Sequence, residues 1–399
     1  MKIITNVASL MPPLTGIGHY TRELLSFLLT HPEVEDIRGM SPVKWYEREQ
    51  LATLLEPDSS CAGSDSEPAK RLLRQSIRGQ LVKVARRVPF ARRAKQLLAE
   101  RTARRRAAEC DGYLYWEPNY LLLPVSNPAI TTVHDLSHMV YPQFHPAERV
   151  KLLDQQLGNS LRQAKRVVAV SEYTRLQIEQ AFDIPAAEIA LVPPAVGDPF
   201  RLPHSTEALA GARQRYGLPD QYVLSVGTLE PRKNVEGLIQ AYAALPAALR
   251  QGFPLVLVGA KGWMTEKLEA LLAPMLKRGE VIRLGYVAQQ DLPLIYAAAS
   301  CMGYVSYFEG FGMPIAEAMA SGTAVITSNT SSMPEVAGGA ARLVDPSDCD
   351  DISQALLTVL EDDRLRREME QRGRDIASQY TWQRSGETLL TEFKRLAQA

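Results

Sequence analysis

Short β-branched runs alternate with longer helical stretches through most of this chain, and the alternation restricts its architecture more than any other feature. Runs at 3–8, 130–133, 167–170, 222–226, 254–258, 281–284, 303–305 and 323–327 read as buried strands; stretches between them, such as 235–245 and 266–276, carry helical spacing. This pattern predicts parallel sheets covered by helices on both faces. A chain of 399 residues is too long for one core and suits two domains. Pro193, Pro194, Pro199, Pro203, Gly217 and Pro219 punctuate its middle, and both halves open with a strand, a loop bearing glycine or proline, and an amphipathic helix. The expectation is therefore an α/β chain of two similar doubly wound domains, residues 1–200 and 201–380, facing each other across a cleft. In such sheets ligands bind beyond the carboxyl ends of the strands.

Charge and cysteine content remove several function classes. The net charge is zero, with 46% apolar and 23% charged residues, so nothing in the overall balance argues for nucleic acid. Cys61, Cys110, Cys301 and Cys349 are scattered and form no C-x-x-C pair, which fits reduced thiols in a cytoplasmic enzyme. Residues 1–7 read as a first strand rather than a targeting segment, and no run approaches the ~18–20 apolar residues that span a bilayer. One segment departs from the neutral balance. Residues 70–106 carry basic side chains from Lys70 to Arg106 against a single acid, Glu100, with Leu72, Ile77, Leu81, Val84, Val88 and Leu97 interleaved. A solvated charged face is one reading of such a run. An RNA strip would need stacking aromatics, and only Phe90 is present. The reading preferred is a cationic amphipathic surface resting on anionic lipid headgroups, which would place the protein on the inner face of the plasma membrane.

Four motifs carry chemistry. In Glu309-Gly310-Phe311-Gly312-Met313-Pro314-Ile315-Ala316-Glu317, Pro314 suits the first position of a short helix and Gly322 the residue just past its end. Glycines admit a close ligand, and the helix N-terminus offers free N–H groups to a diphosphate. Carboxylates repel a diphosphate, so Glu309 and Glu317 read as acceptors for sugar and ribose hydroxyls; alternatively they are a solvated charge and a helix-dipole partner. Second, Gly227-Thr228-Leu229-Glu230-Pro231-Arg232-Lys233-Asn234 follows a strand, with Asn234 as N-cap of the next helix. Arg232 and Lys233 at a strand's carboxyl end fit phosphate, against a solvated basic turn. Third, the loop 12–19 contains Gly16-Ile17-Gly18 but neither the third glycine nor the acid of a dinucleotide fingerprint, which disfavours an oxidoreductase. Fourth, His134-Asp135 ends the strand 130–133. His134 fits a contact in the cleft; a core histidine, or a metal shared with His138, are the alternatives.

Together these features resemble the retaining glycosyltransferases of family 4, which have the GT-B fold. The resemblance covers nearly the whole chain and rests on the pair Glu309 and Glu317 with seven residues between them, "VGTLEPRKN", "GIGHYTREL", "VHDL", "LGYV", "SSMPEV" and the closing "YTW". It implies that Glu309 accepts hydrogen bonds from donor-sugar hydroxyls, that Gly310, Phe311 and Gly312 contact sugar and phosphate, and that Glu317 binds the ribose. It further implies that Lys233, helped by Arg232, balances the departing diphosphate. His134 would contact the sugar, Gly16 would let the first loop approach the diphosphate, and Val287 would border the base. A helix over about 381–399 would cross back to the N-terminal domain. The chain departs from the family in having Thr228 where many members carry arginine, and Ala195 where glycine is usual.

The activity implied is metal-independent transfer of a hexose, with mannose from GDP-mannose preferred and UDP-sugars open. The acceptor would be a glycan or lipid-linked saccharide of a cell-surface polysaccharide or lipopolysaccharide. No cofactor is implied. Asp348-Cys349-Asp350 matches a metal-binding D-x-D formally, but helix capping explains it better. A non-transferring enzyme of the same fold, such as an epimerase or phosphorylase, and an inactive scaffold are the competing readings.

Overall fold

The computed structural model describes residues 1–11, 14–41, 44–55, 101–260, 262 and 266–398. Residues 70–100 of the basic segment, and Pro12 and Pro13 of the first loop, lie outside them.

Two sheets order the chain. The first contains β1 (Lys2–Asn6), β2 (Asp36–Met40), β3 (Trp45–Tyr46), β4 (Tyr113–Glu117), β5 (Ala129–Val133), β6 (Arg166–Ala169) and β7 (Ile189–Leu191), in the order β3-β2-β1-β4-β5-β6-β7. β1 pairs in parallel with β2 and β4, while the two-residue β3 runs antiparallel on β2. The second contains β8 (Val223–Val226), β9 (Leu255–Val258), β10 (Val281–Gly285), β11 (Cys301–Tyr304), β12 (Ala324–Ser328) and β13 (Arg342–Val344). Its order is β10-β9-β8-β11-β12-β13 and every pairing is parallel. That is the doubly wound order, in which the chain moves outward first one way and then the other from a central strand pair.

Parallel strands covered on both faces must be apolar throughout, and β9 (Leu255, Val256, Leu257, Val258) and β12 are buried at every position. Beneath β8 and β11 the core of the second sheet gathers Val223, Leu238, Leu257, Leu272, Ile326, Leu356 and Val359, each at most 1% exposed.

By compactness the chain divides into residues 1–132 with 160–166 and 390–399, and residues 133–159 with 167–389. The second unit thus contains the whole second sheet and also the segment after β5 that begins at His134. Gly16, expected in a loop ahead of its helix, opens the helix Gly16–Thr30 in the first unit, so Gly16-Ile17-Gly18 forms the first turn instead. Among the described residues no helix is long and apolar enough to cross a membrane.

Candidate functional site

β8 and β11 are the strands between which the second sheet changes direction, and past the carboxyl ends of such a pair is where doubly wound sheets bind ligands. The loops leaving those two strands are residues 227–234 and 305–312, the segments that hold Arg232, Lys233 and Glu309. Both lie in the second unit.

Asn234 fixes the first loop. It sits in the left-handed region at φ 51° and accepts from the Gly237 N–H at 3.3 Å, capping the helix Val235–Ala243. Its Nδ2 donates to the carbonyls of Val305, 3.1 Å, and Pro346, 2.6 Å, clipping the loop to the ends of β11 and β13. The preceding turn Pro231–Lys233 then presents two cations. Arg232 donates to the Phe308 carbonyl at 2.7 Å, to Glu309 Oε2 at 2.9 Å and to Glu230 Oε1 at 2.9 Å. Lys233 Nζ donates to Glu309 Oε1 at 2.7 Å and to the Tyr304 hydroxyl at 2.6 Å, and that hydroxyl donates to Glu309 Oε1 at 2.9 Å.

Glu309, 6% exposed, thus accepts from one lysine, one arginine and one phenol. Burial pushes its carboxyl up, but Arg232 and Lys233 outweigh burial and bring it down to about 2. The second loop is pinned as well. The Glu309 N–H donates to Ser331 Oγ at 3.0 Å, and Ser332 Oγ donates to the carbonyls of Glu309 and Phe311, both at 2.9 Å. The serine pair of "SSMPEV" therefore holds the loop's shape.

Gly310 has no room for a side chain. A β-carbon there would run into the His134 carbonyl and meet the Asp135 β-carbon at 2.9 Å. The absent side chain brings His134 and Asp135 against the glutamate loop, so the glycine serves protein packing at the place where the sequence suggested ligand approach. Asp135 accepts from the Ser137 hydroxyl at 2.7 Å; burial raises its carboxyl, and Arg232 with Ser137 brings it below the usual range. His134 follows β5 directly and stands before the helix Ser137–Val140, so it does not share a helix with His138.

Gly312, at φ 102°, is the N-cap of the helix Met313–Ala320, which starts one residue earlier than expected and puts Pro314 second. Phe311 is buried edge-on against the Tyr380 ring at 5.2 Å. Glu317, one turn inside the helix, accepts from the Tyr296 hydroxyl at 2.8 Å, and burial raises its carboxyl to about 7 against that hydrogen bond. The two glutamates thus sit in opposite electrostatic states: Glu309 is held ionised by cations, whereas Glu317 has one phenol. Val287 is buried just past β10, two strands from β8. Asp348 accepts from the Asp350 and Asp351 N–H groups and caps the helix Cys349–Glu361, as the capping reading of that motif requires.

Sequence reasoning did not single out Tyr304, Tyr296, Glu230 or the separate roles of Ser331 and Ser332. For the tyrosines a signal existed, since a buried phenol needs a polar partner, but its partner follows from strand order and not from spacing.

The chain matches the family model described as "Glycosyltransferase Family 4" over residues 59–198 and that described as "Glycosyl transferases group 1" over residues 212–376. It is 36% identical over 397 residues to the O-antigen chain mannosyltransferase B of Escherichia coli, covering 99% of this chain and 100% of that one. The chain belongs to glycosyltransferase family 4. The Escherichia coli serotype-specific mannosyltransferase WbdA is 32% identical over 241 residues, which is 59% of this chain and 29% of that longer protein. Among solved structures, Anabaena Alr3699/HepE in complex with UDP and glucose superposes with TM-score 0.70 at 19% identity, over 99% of this chain and 100% of that one. WaaG, a glycosyltransferase involved in lipopolysaccharide biosynthesis, gives 0.69 at 15% identity over 98% of each. This family member therefore has the GT-B fold and is a glycosyltransferase.

Proposed function

We propose that the chain is a retaining, metal-independent mannosyltransferase. It moves mannose from GDP-mannose to a glycan or lipid-linked acceptor in the synthesis of a cell-surface polysaccharide of the O-antigen kind. The observation that carries the reading is the buried Glu309 carboxylate, held ionised by Lys233 and Arg232 where the sheet changes direction. The mannosyl and O-antigen parts rest on the 36% identity to the Escherichia coli transferase along its full length. UDP-sugars are the alternative donors.

In this scheme the diphosphate lies over the N-terminus of the helix Met313–Ala320, where N–H groups and the helix dipole favour an anion. Lys233 and Arg232 turn toward the phosphates as negative charge builds on the leaving group. Glu309 then exchanges its cations for donor-sugar hydroxyls, with Gly310, Phe311 and Gly312 alongside. Glu317 takes the ribose, Val287 borders the base and His134 contacts the sugar. The exchange is necessary on electrostatic grounds. Glu309, Glu230 and Asp135 surround Arg232 and Lys233, so the ligand-free cluster has no spare positive charge for a diphosphate.

Because the two side chains supply the positive charge, transfer should continue unchanged in EDTA; abolition by chelator and recovery with a divalent ion would contradict this part. Thermal unfolding with GDP-, UDP-, ADP- and dTDP-sugars tests the donor. A ligand at ~100 times its Kd adds about 2.7 kcal/mol of stability, and GDP-mannose is expected to give the largest shift. If no nucleotide sugar moved the transition, the donor site would be misassigned.

A further inference from the structure

Glu309 and its partners do not account for the aromatic side chains gathered beside them. Tyr141, Phe144 and Tyr307 cluster around Phe144, with Tyr141 and Tyr307 tilted by 36° at 6.4 Å. Tyr141 and Phe144 are 5.4 Å apart at 13°, and Phe144 and Tyr307 are 5.9 Å apart at 24°. The buried Phe308 lies edge-to-face with Tyr141 at 6.1 Å and with Tyr173 at 5.8 Å. Unlike core aromatics, Tyr141, Phe144 and Tyr307 are all only half-buried, and Met139 and Val140 next to them are 45% and 46% exposed.

This cluster is tied to the glutamate loop. Tyr307 and Phe308 immediately precede Glu309, the Tyr307 N–H donates to the Arg232 carbonyl at 2.9 Å, and Arg232 donates to the Phe308 carbonyl at 2.7 Å. The segment that supplies Tyr141 and Phe144 continues into a cavity of about 550 Å³, lined among others by Gln143, His145, Lys151, Asp154 and Gln155. His145 Nε2 there is buried and lacks a hydrogen-bond partner.

We propose that Tyr141, Phe144 and Tyr307 form a platform on which a pyranose ring of the acceptor glycan stacks, and that the neighbouring cavity takes the next sugar of the chain. The proposal rests on reading Glu309 as the donor-sugar site. A pyranose has one face of C–H bonds and a rim of hydroxyls. Its C–H hydrogens are attracted to the negative faces of aromatic rings, and the C–H face gains by leaving water. The rim hydroxyls require donors and acceptors, which the tyrosine hydroxyls, Gln143, Asp154 and Gln155 provide. A lipid tail would leave those polar groups unpaired at a cost. A nucleobase would also stack on the rings, and the test separates it from a sugar.

The experiment is saturation-transfer difference NMR of the full chain with α-linked mannotetraose as probe, with and without GDP, alongside acceptor kinetics. Saturation is expected on the C–H protons of one sugar ring and should persist when GDP is added. Tyr141→Ala and Phe144→Ala should abolish it and raise the acceptor KM at least tenfold, while the thermal shift given by nucleotide sugar is retained. Phe144→Tyr, which keeps the ring, should restore both. Absence of saturation in the unaltered protein, its loss to GDP, or alanine variants that behave like the parent would overturn the platform. Saturation without any nucleotide-sugar shift would instead place the failure in the donor reading.

Discussion

Burial raises the Glu317 carboxyl to about 7 from an ordinary 4.5, and the Tyr296 hydroxyl only partly opposes it. An acid whose pKa rises on folding holds more protons folded than unfolded between those values, so stability falls as pH rises through that window. Glu317→Gln keeps an acceptor for Tyr296 and removes the ionised form. It should therefore be more stable than the parent at pH 8, by up to about 3 kcal/mol, and nearly equal at pH 4.5, as read by urea midpoints. The same variant should bind nucleotide less tightly if Glu317 holds the ribose. Equal midpoints at pH 8 would mean that the ionised carboxylate is not disfavoured by its site. Glu309 has the opposite sign. Its pKa is depressed to about 2, so its contribution is present above its unfolded value and lost as pH falls through the folded one. Tyr304 supports that state by donating to Glu309 while accepting from Lys233. Tyr304→Phe should cost about 1–2 kcal/mol and slow transfer about tenfold, on the order of what 1.4 kcal/mol produces, with nucleotide affinity little altered. An unchanged rate would reduce the phenol to a packing role.

Elements were legible where hydrophobic pattern and length agreed. All eight expected strands occur, shifted by at most two residues at an end; all but β11, Cys-Met-Gly-Tyr, are β-branched or leucine-rich runs. The strands left unread had weaker signals. β2 is Asp-Ile-Arg-Gly-Met, β4 is Tyr-Leu-Tyr-Trp-Glu and ends on a buried carboxylate, while β3, β7 and β13 span only two or three residues. Helix starts were displaced at Gly16 and Met313, since a glycine or a proline can stand inside a first turn as well as before it. Asn234 shows what a cap does beyond its own helix. Its side chain bonds Gly237, Val305 and Pro346, so Asn234→Ala should destabilise the second unit by about 2 kcal/mol and loosen both loops. A Tm equal to that of the parent would contradict the account of the clip.

For the molecule as a whole, the motifs of the candidate site were legible but their pairing was not. The run from Gly227 to Asn234 and the run from Glu309 to Glu317 each announced a strand end, yet nothing in their separation says that β8 lies next to β11. That neighbourhood turns two phosphate-type cations and a sugar-type carboxylate into one ion-pair cluster. The basic segment 70–106 is described only from Arg101. Residues 101–108 are helical, with Ala103 and Ala107 buried and Arg101, Arg104, Arg105 and Arg106 exposed. Cosedimentation with anionic vesicles should weaken steeply as salt rises if this segment meets a membrane; indifference to lipid charge would remove that idea. The central claim is that Glu309 belongs to the donor sugar and yields its cations to the diphosphate. Glu309→Gln, assayed for nucleoside-diphosphate affinity and for transfer, addresses it most directly. Freed of Glu309, Lys233 and Arg232 should hold the diphosphate at least as tightly as in the parent, while transfer falls on the order of a thousandfold, about 4 kcal/mol. Nucleotide affinity lost together with transfer, or transfer that persists, would contradict the account.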